Sequence, residues 1–308
     1  MSNENDELDP LKDEEAVNDE ILKPLTFNRT EPINNENVPI ANSNTNDIKN
    51  KDSNYIFFFG GGSCGKSVIL ATMLYYMRSQ VGVIRPKVGT PNTIYAESLL
   101  YDFFDNIRKG ILPTGTQKDE VTRLDLVFEP NNKSKKIKPI NLTFLETNGE
   151  NHNEIKRGGQ YISSIEEYLT SYLKLSFIIV TSYENAHEDD ILINTFLDKL
   201  VRYEKKIKSI NLILVISKWD LSGSTTVESE LQLENFIKER LPMTANSINT
   251  YGFGKSFYTI GKIDNATNRV TLLNLNTAKV LTHWLYQSIT GYPLDYPGTL
   301  WERIKFSF

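Results

Sequence analysis

The chain has one cysteine, Cys64, among 308 residues, which excludes an intrachain disulfide and fits a reducing compartment. A cytoplasmic location is therefore the expectation. Histidine is nearly as scarce. His152, His187 and His283 lie far apart and form no metal-ligand spacing, so they read as structural or surface residues. No apolar run approaches the roughly 20 residues of a membrane-spanning helix. The first thirty residues are acidic, unlike the basic-then-apolar pattern of a signal peptide, and no stable membrane insertion is expected. An excess of basic charge is also missing. Residues 1–54 carry 13 acidic and 5 basic side chains, a net of −8, which leaves 26 acidic and 29 basic elsewhere, a net of +3. A nearly neutral remainder offers no general footprint for nucleic acid.

Apolar residues are thin in 1–53, where Asn, Asp and Glu dominate. Such a segment cannot bury enough surface to offset its ordering entropy, so 1–53 is expected to be a disordered acidic tail.

Beyond it lies the stretch on which the chain is organised. Tyr55 to Phe59 is a continuous apolar run that reads as a buried strand. It leads into Gly60-Gly61-Gly62-Ser63-Cys64-Gly65-Lys66-Ser67, a full match to G-x-x-x-x-G-K-S, and an apolar helix opens at Lys66. Glycines let backbone N–H groups converge on a phosphate, and a helix N-terminus adds a favourable dipole. Lys66 is expected on the outer phosphates and Ser67 on Mg²⁺. Cys64 reads as a small filler of this crowded loop. A rival match overlaps it: Gly61 to Gly65 also fits G-x-S-x-G, with Ser63 as a nucleophile. That reading needs a partner histidine on a later loop, and His283 lies inside an amphipathic stretch.

The remaining pattern alternates. Helices are expected over Lys66–Gln80, Thr93–Lys109, Ser163–Leu175, Asp189–Lys206, Val227–Leu241 and Ala278–Ile289. Strands are expected over Val121–Phe128, Pro139–Leu145, Ser176–Ser182, Asn211–Ser217 and Ser256–Ile260, with a further short one in Arg269–Leu275. Val81–Asn92, with Pro86 and Pro91, reads as irregular. The turn 131–136 makes an antiparallel hairpin of the first two strands. The rest is a mostly parallel sheet with helices on both faces, a three-layer α/β fold with one antiparallel edge hairpin strand.

A second constellation ends the Asn211 strand: Ser217-Lys218-Trp219-Asp220. The C-terminal ends of parallel strands are where such sheets bind ligands. A carboxylate at Asp220 can accept both the N1–H and the N2–H of guanine. Adenine offers neither, and would leave the charge unpaired. Lys218 can lay its stem over a base plane.

Together these motifs resemble the translation-factor-related (TRAFAC) class of P-loop GTPases with a Ras-like G domain, and among them the bacterial double-GTPase-type domains. Glu146-Thr147-Asn148-Gly149 stands where that class carries Asp-x-x-Gly, and Ser217-Lys218-Trp219-Asp220 where it carries Asn/Thr-Lys-x-Asp. The likeness covers about residues 54–291, with 292–308 an aromatic C-terminal extension.

The resemblance implies GTP and GDP binding with Mg²⁺, slow GTP hydrolysis and a switch role in a bacterial conflict or stress system. The partner it implies is a protein effector, a second GTPase being one candidate. It also implies that Ser67, Glu146 and a threonine, Thr116 ahead of Thr114, serve the metal. Gly149 N–H would face the γ-phosphate, Glu150 would stand where a water-orienting glutamine is usual, and Gly261 and Lys262 would lie in the base loop. The departures are Glu for Asp at 146, Ser for Asn at 217, and a carboxylate at 150. A P-loop ATPase or kinase with Glu146 as base, and a scaffold that holds GTP without turnover, remain open alternatives.

Overall fold

The computed structural model describes residues 52–115, 121–156, 163–171, 173–202, 210–224, 226–264 and 266–298, all within one compact unit, Ile40–Phe308. The expected tail (except its last two residues), Thr116 and the end of the C-terminal extension lie outside the described residues.

The first strand, β1 (Asn54–Phe59), is the centre of a seven-stranded sheet. Its apolar run has no polar alternation because both faces are covered. Tyr55, Phe57 and Phe59 pack into one core and Ile56 and Phe58 into the other. Helix α1 (Lys66–Tyr76) follows, then a π-helical turn, Met77–Val81. Nine of the eleven residues of α1 are buried, which is why the helix lacks a polar face: it lies under the sheet between α2 (Thr93–Arg108) and α8 (Asn276–Thr290).

The expected antiparallel hairpin is present as β3 (Val121–Pro130) and β4 (Ile140–Thr147). The structure adds a strand that the sequence reading took as irregular, β2 (Gly82–Pro86), paired antiparallel with β3. β2 is only five residues long and ends on a proline. Among the described residues its outer edge carries no partner strand, which is the place a sheet tolerates proline. The antiparallel strand therefore lies one place in from the edge.

From β4 onward the chain runs α3 (Gly149–Lys156), α4 (Ser163–Thr170), β5 (Leu175–Ser182), α5 (Ala186–Arg202), β6 (Asn211–Ser217), a 3₁₀ turn (Trp219–Ser222), α6 (Thr226–Arg240), α7 (Pro242–Tyr251) and β7 (Gly254–Phe257). The sheet order is β2-β3-β4-β1-β5-β6-β7, with β4, β1, β5, β6 and β7 parallel. Helices cover both faces, so the fold is three-layer α/β.

Two helices escape the periodicity. α3 has few apolar positions. α7 starts at Pro242 after Leu241, which has no capping side chain, and its cap comes from another element. Asp190 of α5 accepts from the N–H groups of Met243 (3.0 Å) and Thr244 (2.9 Å) and from Thr244 Oγ1 (2.6 Å). A buried carboxylate thus satisfies orphan donors at the start of α7.

The last expected strand is also placed differently. β9 (Arg269–Leu273) pairs with β8 (Gly261–Asp264) in a separate two-stranded sheet. After α8, Asn132 of the β3–β4 turn donates to the carbonyls of Leu294 and Tyr296, which holds the start of the C-terminal extension on the domain's own surface.

Candidate functional site

Five parallel strands deliver their C-terminal ends to one edge of the sheet, and the candidate residues follow those ends. The loop after β1 is shaped by its backbone. Ser63 has φ 56° and Lys218, after β6, φ 53°. Among the described residues only three non-glycine side chains take positive φ, and two are in these loops, the kind of strain that gathers at functional sites. Lys66 Nζ donates to Gly60 O (3.0 Å) and Gly61 O (2.8 Å), so its ammonium is buried inside the loop it belongs to. Cys64 is fully buried and burial pushes its thiol upward, which fits a filler and not a nucleophile.

Ser67 Oγ donates to Glu146 Oε1 at 2.5 Å. Glu146 is 2 % exposed at the end of β4, and its carboxyl is pushed upward by burial, against the opposing pull of Ser67 and Lys66. Nearby, Gly149 opens α3 in contact with the loop. A Cβ there would stand 2.2 Å from Gly61 C and Gly62 N, so only glycine lets the two backbones approach this closely. Glu150 is exposed in the first turn of α3, where its N–H binds Asn148 Oδ1 (2.8 Å).

The motif after β6 is joined directly to the phosphate loop. Ser217 Oγ donates to Cys64 O at 2.6 Å, and both groups are buried. Trp219 turns inward, donating Nε1–H to Ser229 Oγ (3.0 Å) and stacking on Phe257. Its burial leaves Lys218 and Asp220 on either side of it toward solvent. Lys218 Nζ pairs with Glu184 (2.9 Å), and Asp220 Oδ1 accepts from Thr259 Oγ1 (3.2 Å). Thr259 Oγ1 in turn accepts from Gly261 N–H (3.2 Å), so one hydroxyl brings Asp220 and Gly261 together. Lys262 is exposed within β8.

Three residues at this site escaped the sequence reading. Thr259 is the first. The second is Asp189 of α5, which takes Thr181 Oγ1–H at 2.6 Å and lies 3.1 Å from where a Cβ on Gly61 would be. The third is His152, read as structural or surface, which is buried in α3 against the loop. Its Nδ1 lies 3.0 Å from Gly60 N and 2.7 Å from Gly60 O, its Nε2 lies 2.5 Å from Thr147 Oγ1, and its ring stacks on Phe59. Burial, reinforced by the Lys66 charge, holds its pKa down at about 3, so the ring is neutral. Both nitrogens of His152 are engaged there, so it has none left for a Ser63 nucleophile, and His283 contacts Tyr76 OH (3.3 Å) from within α8.

No protein-family model matches the chain. No curated protein matches it. Among solved structures it is similar to Roco2 RocCORdC of Methanosarcina barkeri, bound to GDP. The identity is 11% over 78% of this chain and 50% of that one, with a TM-score of 0.36. It is also similar to the signal recognition particle receptor SRb-GTP/SRX complex of Chaetomium thermophilum. There the identity is 14% over 76% of this chain and 98% of that one, with a TM-score of 0.41. The chain spans half the length of the Roco2 chain it matches.

Proposed function

We propose that the chain is a guanine-nucleotide-binding switch of the TRAFAC type that hydrolyses GTP to GDP and phosphate with Mg²⁺. The observation that carries this reading is the hydrogen bond from Ser217 to Cys64 O, which makes the phosphate loop and the base-reading motif one site. A phosphate loop alone does not choose a base. A loop fastened to a strand end that presents Lys218 and Asp220 supports the guanine reading.

Ser67 Oγ and Glu146 Oε1, a hydroxyl and a carboxylate side by side, are the hard oxygen donors that suit Mg²⁺. A buried carboxylate flanked by one cation also has need of further positive charge. When bound, the metal neutralises charge on the outer phosphates. The chain's own residues do the rest by position and electrostatics. Lys66, already inside the loop, needs only to exchange two carbonyls for phosphate oxygens. Gly149 brings its backbone against the loop, where its N–H would face the γ-phosphate, and the exposed Glu150, one residue on, would meet the attacking water. Asp220 accepts from the base, with Gly261 N–H at its side. Exchange of GTP for GDP changes how the start of α3 meets the loop, and with it the surface that an effector meets.

Calorimetric titration with GTP and ATP in Mg²⁺ tests the assignment. GTP should bind at least about tenfold more tightly, a gap of 1.4 kcal/mol, and Lys66→Ala should abolish tight binding while leaving the fold intact. Preference for ATP would move the chain to the ATPase or kinase class. Single-turnover assays with GTP separate a hydrolase from a scaffold that holds it unchanged.

A further inference from the structure

The small β8–β9 sheet connects the Asp220 side of the site to the end of α2. β8 starts at Gly261, whose N–H is held beside Asp220 by Thr259. β9 returns antiparallel to it, and Asn274 N–H then binds Ile260 O (2.8 Å), so the base-side end is fixed from both strands.

The far edge of β9 is fixed as well. Val270 N–H donates to Gly110 O at 2.8 Å, and Ile111 bridges Arg269 in antiparallel fashion. Gly110 is the residue that ends α2 and starts the stretch running toward Thr114. Its φ is +67°, and a Cβ there would stand 2.4 Å from Val270 O. The contact therefore needs glycine both for its backbone angle and for its closeness. Ile263, Val270 and Leu112 pack on the same core as Ile107 of α2, so the strip is seated and not merely hydrogen-bonded.

We propose that this hairpin is a strut. Docking of Gly110–Ile111 on β9 holds Gly261 and Asp220 in their base-reading position, and lifting the end of α2 away releases the nucleotide. The inference rests on the guanine reading above. Coupling of this kind is reciprocal: if the docked strip favours base binding, base binding favours the docked strip.

Gly110→Ala tests it, because the new methyl meets a backbone oxygen that cannot swing aside. In the full chain, release of a fluorescent GDP analogue should become at least tenfold faster. Asp190→Ala, which uncaps α7 and leaves the hairpin alone, should lower the melting temperature yet keep release within twofold of wild type. Release within twofold of wild type from a folded Gly110→Ala protein overturns the strut and leaves nucleotide binding standing. Equal acceleration by both variants overturns it too, by making the effect one of general stability. Should Gly110→Ala fail to fold, amide exchange on the wild-type protein decides. GDP should slow exchange at Val270 by tenfold or more, and unchanged exchange with GDP bound overturns the proposal. A wild-type chain that binds no GDP would remove the guanine reading itself, and the strut with it.

Discussion

Ser217 Oγ lies 2.6 Å from the carbonyl oxygen of Cys64, although the two residues are 153 positions apart. The bond fastens the end of β6 to the middle of the phosphate loop. The short serine side chain is enough to support the loop from there. Ser217→Ala leaves a buried carbonyl unpaired, at a cost of about 1–3 kcal/mol in stability. It should also speed nucleotide release, because the two halves of the site then move independently. Denaturant melts and release kinetics on the same protein check both parts; an unchanged release rate would show that the halves are held together by something else.

Much of this site was legible because its signals are local. A buried strand, a glycine-rich turn and a helix in direct succession need no tertiary information, and Tyr55 to Ser67 folds as its spacing predicts. Ser217 to Asp220 was legible for the same reason. What stayed hidden depends on distant partners. Asp190 caps a helix that begins 52 residues later, and nothing near Pro242 announces it. His152 meets Gly60 across 92 residues, from a helix too polar for periodicity to reveal. β2 was missed because five residues with a terminal proline read as a loop until β3 supplies the pairing.

His152 makes stability depend on pH, with a definite sign. Its folded pKa, about 3, lies below the 6.5 of the free side chain, so between those values the unfolded chain binds the extra proton. Stability is full above pH 6.5 and falls as the pH drops below it, by up to about 1.4 kcal/mol per pH unit. The raised carboxyl of Glu146 acts in the opposite direction, since its contribution is lost as pH rises through its folded value. Going from pH 7.5 to 6.5 to 5.5, denaturation midpoints should therefore shift downward more for wild type than for His152→Gln, the difference being the histidine's share. Identical slopes would contradict the burial of a neutral ring at this position.

Glu146→Gln keeps the shape and removes the charge. Because burial opposes that charge, the ligand-free protein should melt no lower at pH 8, and about 1 kcal/mol more stable is the direction expected. The enhancement of GTP affinity by Mg²⁺ should shrink at least about tenfold, a loss of 1.4 kcal/mol. Titrations of GTP across a Mg²⁺ series read this directly. An undiminished Mg²⁺ effect would take Glu146 out of the metal's surroundings.

Whether Asp220 reads guanine can be decided by one substitution. Asp220 stands exposed at the end of β6, turned outward by the burial of Trp219 and joined through Thr259 to Gly261. Its carboxylate can accept from guanine N1–H and N2–H together. Xanthine carries an oxygen in place of the N2 amine, which the carboxylate repels. Asp220→Asn offers that oxygen an NH₂ donor and keeps a carbonyl for N1–H. The measurement is the ratio of GTP to XTP affinity for the wild type and for Asp220→Asn under one set of conditions. The ratio should move toward XTP by at least about tenfold, or 1.4 kcal/mol. A ratio unchanged from wild type would mean that Asp220 does not touch the base, and the guanine assignment would fall with it.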